Sequence, residues 1–307
     1  MTSHATHAVP ATTARSTQIA ILAMVAASAL VAITMLIAKA LGQPLQGQGA
    51  LHPMMVSAGR FAFALVALCV VVALRPDQRP TFAGTRYDLH IARSICGWLG
   101  VTAMFAAAAR MPLAEATAIS FLSPLITMGL AILVLGERAT ARKGVAAALA
   151  LAGALALLRP GTEAFHPAAL LALLAATLMG IEVTVIKRLS DTEPPMRVLL
   201  INNVIGATIA VFAASFVWTT PSALQWALLI LLGVIMVSAQ ASFIQAMKRA
   251  PASLVVPVFY ITLAFAAIYD FAIFGVRPTG MALAGSALII AGAWILSRAP
   301  AEGAKAP

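Results

Sequence analysis

Long apolar runs, broken at short intervals by Pro, Gly and basic residues, set the pattern of this chain. A helix needs about 20 apolar residues, rising 1.5 Å each, to cross a hydrocarbon core of about 30 Å. Ten runs meet that requirement. They predict spans at 18–40, 53–74, 89–109, 112–135, 141–158, 167–187, 197–217, 223–246, 251–274 and 279–297. Their ends are good to about 2–4 residues. The polar stretch 1–17 and the tail 298–307 are expected to be disordered. The first run is too long for a signal-peptide core and is expected to stay as a helix.

The runs repeat. The stretch from Arg110 to Leu158 recurs from Arg249 onward when the chain is shifted by 139 residues. The shift lays Pro112 on Pro251, Gly136 on Gly275, Arg138 on Arg277, Thr140 on Thr279 and Gly153 on Gly292 without a gap. An odd number of crossings separates the copies, so one is expected to lie upside down relative to the other. Two inverted helical units with a site between them are a transporter architecture. The expected fold is therefore all-α and integral to the membrane, with repeats at 18–158 and 167–297.

Charge refines this picture. Sorting Lys and Arg by the predicted loops gives fifteen on one side and four on the other, with Arg60 inside a span. Positive residues favour the cytoplasm, which places both termini there. Composition agrees: 62% of residues are hydrophobic and 10% charged, against about 25% charged in soluble domains. The net charge of +10 is dispersed between apolar runs, so nucleic acid is not an expected partner. Cys69 and Cys96 lie inside apolar runs and suit buried small residues rather than a disulfide framework. Small residues on the fifth and tenth spans, including Gly153, Gly285 and Gly292, suit close packing within one chain; the alternative is a homodimer contact.

The run Met111-Pro-Leu-Ala-Glu-Ala-Thr-Ala-Ile-Ser-Phe-Leu-Ser-Pro124, followed by Leu135-Gly-Glu-Arg-Ala-Thr140, resembles the repeat unit of the EamA family, in the drug/metabolite transporter superfamily. The second half resembles it through Ala250-Pro-Ala-Ser-Leu-Val-Val-Pro257 and Gly275-Val-Arg-Pro-Thr279. The resemblance implies a ten-helix basket with a central cavity among helices 1, 3, 4, 6, 8 and 9. It also implies carriage of a small metabolite such as an amino acid or a flavin. One departure stands out: Glu137 has Val276 at the matching position, which removes any symmetric acidic pair there.

Polar residues inside the spans are the candidates for the solute pathway, since they are costly in lipid. Pro124 frees the carbonyl of Ser120 beside Ser123, and Pro257 frees that of Ser253. Each break is either a polar notch for a solute or a packed kink. Arg60 stands about 10 Å into the second span, to attract an anionic group or to serve structure. If the second and seventh spans correspond, Asn202 lies at equivalent depth. Glu115, Glu182 and Asp270 are the acids within spans and could couple transport to protons; a pairing of Asp270 with Arg60 is one expectation. Gln240, Tyr260 and Trp98 are further candidates, Trp98 as a platform for a planar ligand, with interhelical packing as the alternative for each.

The five histidines are scattered without metal-ligand spacing, and no Gly-Lys-Ser/Thr phosphate loop, G-x-S-x-G or H-E-x-x-H occurs. No metal or cofactor is expected. The sequence reads as a transporter of the bacterial inner membrane that carries a small organic solute by alternating access. The second reading is a membrane-embedded lipid-modifying enzyme.

Overall fold

A computed structural model of the chain describes residues 14–45, 47–75, 79–123, 126, 129–130, 141–158, 166–190, 193–249, 258–259 and 261–297. Ten helices are described: α1 Ala14–Leu41, α2 Pro53–Leu74, α3 Tyr87–Ala108, α4 Leu113–Ser120, α5 Ala141–Leu158, α6 Ala168–Ser190, α7 Pro195–Ser215, α8 Ala223–Arg249, α9 Ile261–Phe274 and α10 Gly280–Ser297. Among the described residues the only β pairing is one isolated bridge, Leu45 with Gln48. Among the described residues five helices are long and apolar enough to cross a membrane: Gln18–Leu41, Pro53–Leu74, Tyr87–Ala108, Met196–Ser215 and Ala223–Phe243. Shorter apolar helices run Ala168–Glu182, Ile261–Phe274 and Gly280–Gly292.

Local chemistry sets the ends. Pro53 and Pro195 open α2 and α7 at the first turn, where a missing N–H costs nothing. The ring nitrogen of His52 accepts from the Met54 amide at the start of α2. Gly275 closes α9 with φ 69°; its amide donates to Phe271 O at 3.0 Å, and the Val276 amide to Asp270 O at 3.4 Å. The Gly275 bond is the αL type of helix ending, which needs the left-handed conformation glycine adopts freely.

Two boundaries differ from the apolar pattern. α1 starts at Ala14, inside the stretch expected to be a disordered tail, because Ala14 and Arg15 are good helix formers and nothing before Gln18 breaks the turn. The fourth run does not form one regular helix over its whole length. α4 stops at Ser120, and Phe121 and Leu122 continue as a turn with amide bonds to Ala118 and Ile119. The cause is legible four residues on, since a proline ring at 124 would collide with the Ser120 carbonyl in a continuous helix. Pro124 itself lies outside the described residues, as do Pro257 and Tyr260.

The packing of the helices has an internal order. α1 packs on α8 and α9, α3 on α6 and α7, α2 on α7 and α8, α4 on α6 and α9, and α5 on α10. Exchanging helices five apart turns α1–α8 into α6–α3, α2–α8 into α7–α3 and α1–α9 into α6–α4. It leaves α2–α7, α4–α9 and α5–α10 unchanged. The backbones of α5 and α10 approach closely: a Cβ on Gly153 would stand 2.5 Å from Gly285 O. Those two small residues therefore pack within one chain.

One buried apolar cluster, with Ala107, Ile119, Ala172, Leu263 and Ile289, fills the space among α3, α4, α6, α9 and α10. A second, with Leu41, Phe61, Phe105, Ala210 and Leu232, joins α1, α2, α7 and α8 to α3. Leu74, Phe212, Leu231, Ile273 and Leu283 point outward and stay exposed. Apolar side chains on both faces of the helices are what a lipid-facing bundle requires.

Candidate functional site

Two buried arginines and a half-buried glutamate meet between α2, α3 and α6. Arg60, the eighth residue of α2, is 7% exposed. Its guanidinium carbon lies 4.1 Å from the centre of the Phe61 ring. Its Nη1 has no hydrogen-bond partner among the described residues. Arg93 on α3 is 6% exposed. It donates through Nη1 to Val198 O on α7 at 2.9 Å and sets Nε 3.6 Å from Glu182 Oε1 on α6. Arg60 and Arg93 both lie within Coulombic reach of Glu182 and of each other.

The sequence of α3 makes this meeting possible. Gly97 lies one turn beyond Arg93, and a Cβ there would stand 3.0 Å from Glu182 Oε1. A larger residue there would press on the carboxylate and oblige it to shift. Ser94 Oγ donates to Asn202 Oδ1 on α7 at 3.3 Å, which ties the polar face of α3 to α7. Farther along α3, Trp98 Nε1 and Thr102 Oγ1 are buried without a hydrogen-bond partner among the described residues.

Each end of the bundle carries its own polar tie. At one end Lys39 of α1 forms a buried ion pair with Asp270 of α9, and the other carboxylate oxygen accepts from the Leu113 amide at 2.8 Å. That amide is an otherwise unpaired donor at the start of α4, where a negative charge is favoured. The Lys39 ammonium also lies 4.7 Å from the Phe274 ring centre. At the other end Glu193, between α6 and α7, accepts from the Arg86 amide and pairs with His90 Nε2, both at 2.9 Å, and lies 3.8 Å from Arg197 Nη1. Burial pushes the Glu193 carboxyl up, but the Arg86 amide, His90 and Arg197 together hold it below the usual carboxylate range. Arg197 also donates to Ala83 O and Thr81 Oγ1, fastening the connection before α3.

The candidates named from sequence therefore separate. Arg60, Glu182, Asn202 and Trp98 gather around one face of α3. Asp270 stands apart with Lys39, so its expected pairing with Arg60 is wrong: Lys39 is closer and α1, not α2, packs on α9. Glu115 lines a small cavity with Asp270, Pro112 and Pro278. Ser120 is 8% exposed and its hydroxyl donates to Thr117 O at 2.7 Å. Ser123 O faces Gly180 of α6. Gln240 is partly buried on α8, outside the ion pairs of both ties and of the central cluster.

Lys39, Arg93, His90 and Glu193 were missed. The first two look like loop charges by position, yet they are 3% and 6% exposed. A signal was available: a buried acid in a span requires a cation nearby, and both lie within the helical reach of their runs. Two of the helices that carry the cluster, α3 and α6, are among those the family resemblance implies for a cavity; α2 and α7 are not.

Comparison with known proteins places the chain. The sequence pattern of the EamA-like transporter family matches residues 18–159 and again 166–298. An S-adenosylmethionine uptake transporter of Rickettsia felis is 28% identical over 78% of this chain and 81% of its own length. A riboflavin transporter of Rhizobium johnstonii is 30% identical over 68% of this chain and 70% of its own. Pseudopaline exporter CntI of Pseudomonas aeruginosa is 25% identical over 68% of this chain and 74% of its own. A solved crystal structure, 19% identical, superposes with a TM-score of 0.59 over 92% of this chain and 97% of that one, a likeness of fold alone. With two matches that together span nearly all of the sequence, the chain belongs to the EamA-like transporter family of multi-pass membrane proteins.

Proposed function

We propose that the chain carries a small organic solute across the bacterial inner membrane by alternating access, with the solute held beside Arg60, Arg93 and Glu182. One observation carries this reading: the cluster sits where the two family matches meet. Arg60 and Arg93 come from the first match, Glu182 from the second, and Val198 and Asn202 of the second close it. A site between repeats, polar amid apolar helices, is where such carriers bind. The packing order, which survives exchange of helices five apart, supports two related halves. The excess of positive loop residues supports cytoplasmic termini.

In this reading the two ties are the closures. Lys39–Asp270–Leu113 joins α1, α9 and the start of α4 on the outer side. Glu193 with His90 and Arg197 joins α3 to the connection before α7 on the cytoplasmic side. Each opens in turn as one half rocks on the other. Relatives include proteins named for uptake and for export, so the fold serves either direction. Of the acids proposed for proton coupling, Asp270 has both oxygens taken, whereas Glu182 stands within the central cluster.

The experiment is uptake of a mixed metabolite pool into proteoliposomes, read by mass spectrometry. Accumulation of a solute above protein-free vesicles is expected, together with a fall of at least about tenfold in Glu182→Gln, because a buried Arg93 loses its charged partner. Wild-type vesicles that take up nothing, or a Glu182→Gln rate equal to wild type, would refute the assignment.

A further inference from the structure

Arg60 is the one buried span cation among the described residues whose charge is not matched. Lys39 has Asp270. Arg93 has Glu182 and the Val198 carbonyl. Arg197 has Glu193, Thr81 and Ala83. Arg60 has only the Phe61 ring at 4.1 Å and a carboxylate already engaged by Arg93. Among the described residues the central cluster therefore holds two guanidinium groups against one carboxylate. A buried charged donor without a partner is among the costlier features a fold can keep. Its retention at the junction of the two halves calls for an acceptor from outside the chain.

We infer that the solute carries a carboxylate and one net negative charge, and that Arg60 donates to that carboxylate. The inference rests on the transport reading above and names the chemistry of its solute. A cationic solute would add to an excess positive charge. A neutral one would leave Arg60 uncompensated. A dianion would overshoot by one buried negative charge. A monoanion alone brings the cluster to neutrality. Geometry selects a carboxylate within that class. The Phe61 ring lies 4.1 Å from the guanidinium carbon, and Nη1 stands without a partner among the described residues, a donor in want of an acceptor. An edge of parallel N–H donors suits a two-oxygen acceptor. Trp98 Nε1 and Thr102 Oγ1, each without a partner among the described residues, offer neutral polar contacts to the rest of the solute. They are about 6 Å apart along α3 at 1.5 Å per residue.

The test uses the full chain in proteoliposomes with a pool of hydrophilic monocarboxylates, each beside its own primary amide, and mass spectrometry after subtraction of protein-free vesicles. Wild type is expected to take up the acids over their amides by at least about tenfold, the factor for one charge-assisted hydrogen bond. Arg60→Gln is expected to bring that ratio near one. Arg60→Lys keeps the charge and is expected to keep the preference at reduced uptake. The wild-type ratio needs no variant to fold. Amides that enter as well as acids, or an Arg60→Gln protein that keeps the preference, would overturn the inference and leave transport standing. A pool in which nothing enters wild-type vesicles would overturn this inference; the transport reading falls only if the mixed metabolite pool is also left outside.

Discussion

At the scale of single residues, the bundle depends on matching charges that lipid cannot solvate. Lys39 and Asp270 show the logic. Each is almost wholly buried, so removing one strands the other. Breaking such a pair costs about 3–5 kcal/mol, whereas replacing both members by apolar residues of similar volume is close to neutral. Lys39→Met is therefore expected to destabilise the purified protein by that amount in a detergent unfolding assay. The double variant Lys39→Met with Asp270→Leu is expected to recover most of the loss, reduced by the Leu113 amide that then lacks its acceptor. A double variant no more stable than Lys39→Met would show that the pair is not coupled. The three acids in spans were legible in the sequence as groups in need of partners. Which cations they take was not, because Lys39 and Arg93 lie close enough to the ends of their runs to pass for loop residues. Pairing is decided by which helices touch, and hydropathy carries no record of that.

At the scale of elements, most of the helices follow directly from the lengths of the apolar runs. α2 and α5 coincide with them residue for residue, and Pro53 fixes where α2 begins. The fourth run is the exception, and its cause was readable in Pro124 and the Ser120 carbonyl. The ties between elements were harder to foresee. Glu193 falls in a connection, yet it gathers the Arg86 amide, His90 and Arg197 from three directions and is 6% exposed. Its carboxyl is held below the usual range despite burial, so the ionised form is favoured in the folded protein. The sign follows. Its contribution is fully present above the unfolded value near pH 4.3 and is lost as pH falls through the lower folded value. Wild type is expected to exceed Glu193→Gln in stability by about 1–3 kcal/mol at pH 7, as for a hydrogen-bonded charge. The advantage is expected to fade below about pH 4 in unfolding curves taken across pH. An advantage that holds constant into acid would mean that Glu193 contributes shape and not charge.

At the scale of the whole molecule, everything turns on the relation between the two halves. Three of the nineteen basic residues used to orient the chain are buried in ion pairs: Lys39, Arg93 and Arg197. They say nothing about which side of the membrane a loop occupies. Setting them aside leaves thirteen against three, so the asymmetry persists without them. The helix contacts add a second, independent constraint, since they are conserved under exchange of helices five apart. Parallel halves would also give such exchange, but they would put Arg110 and Arg249 on one side. Inverted halves put Arg110 outside and Arg249 in the cytoplasm. In a background with Cys69→Ser and Cys96→Ser, a cysteine at position 110 is expected to react with an impermeant maleimide in intact cells. A cysteine at position 249 is expected to react only after permeabilisation. Arg110 is exposed in the structure, so its failure to react would point to topology and not to burial. Labelling of both positions from one compartment would make the halves parallel. The outer and inner closures would then lose their assignment, and rocking of one half on the other would lose its support.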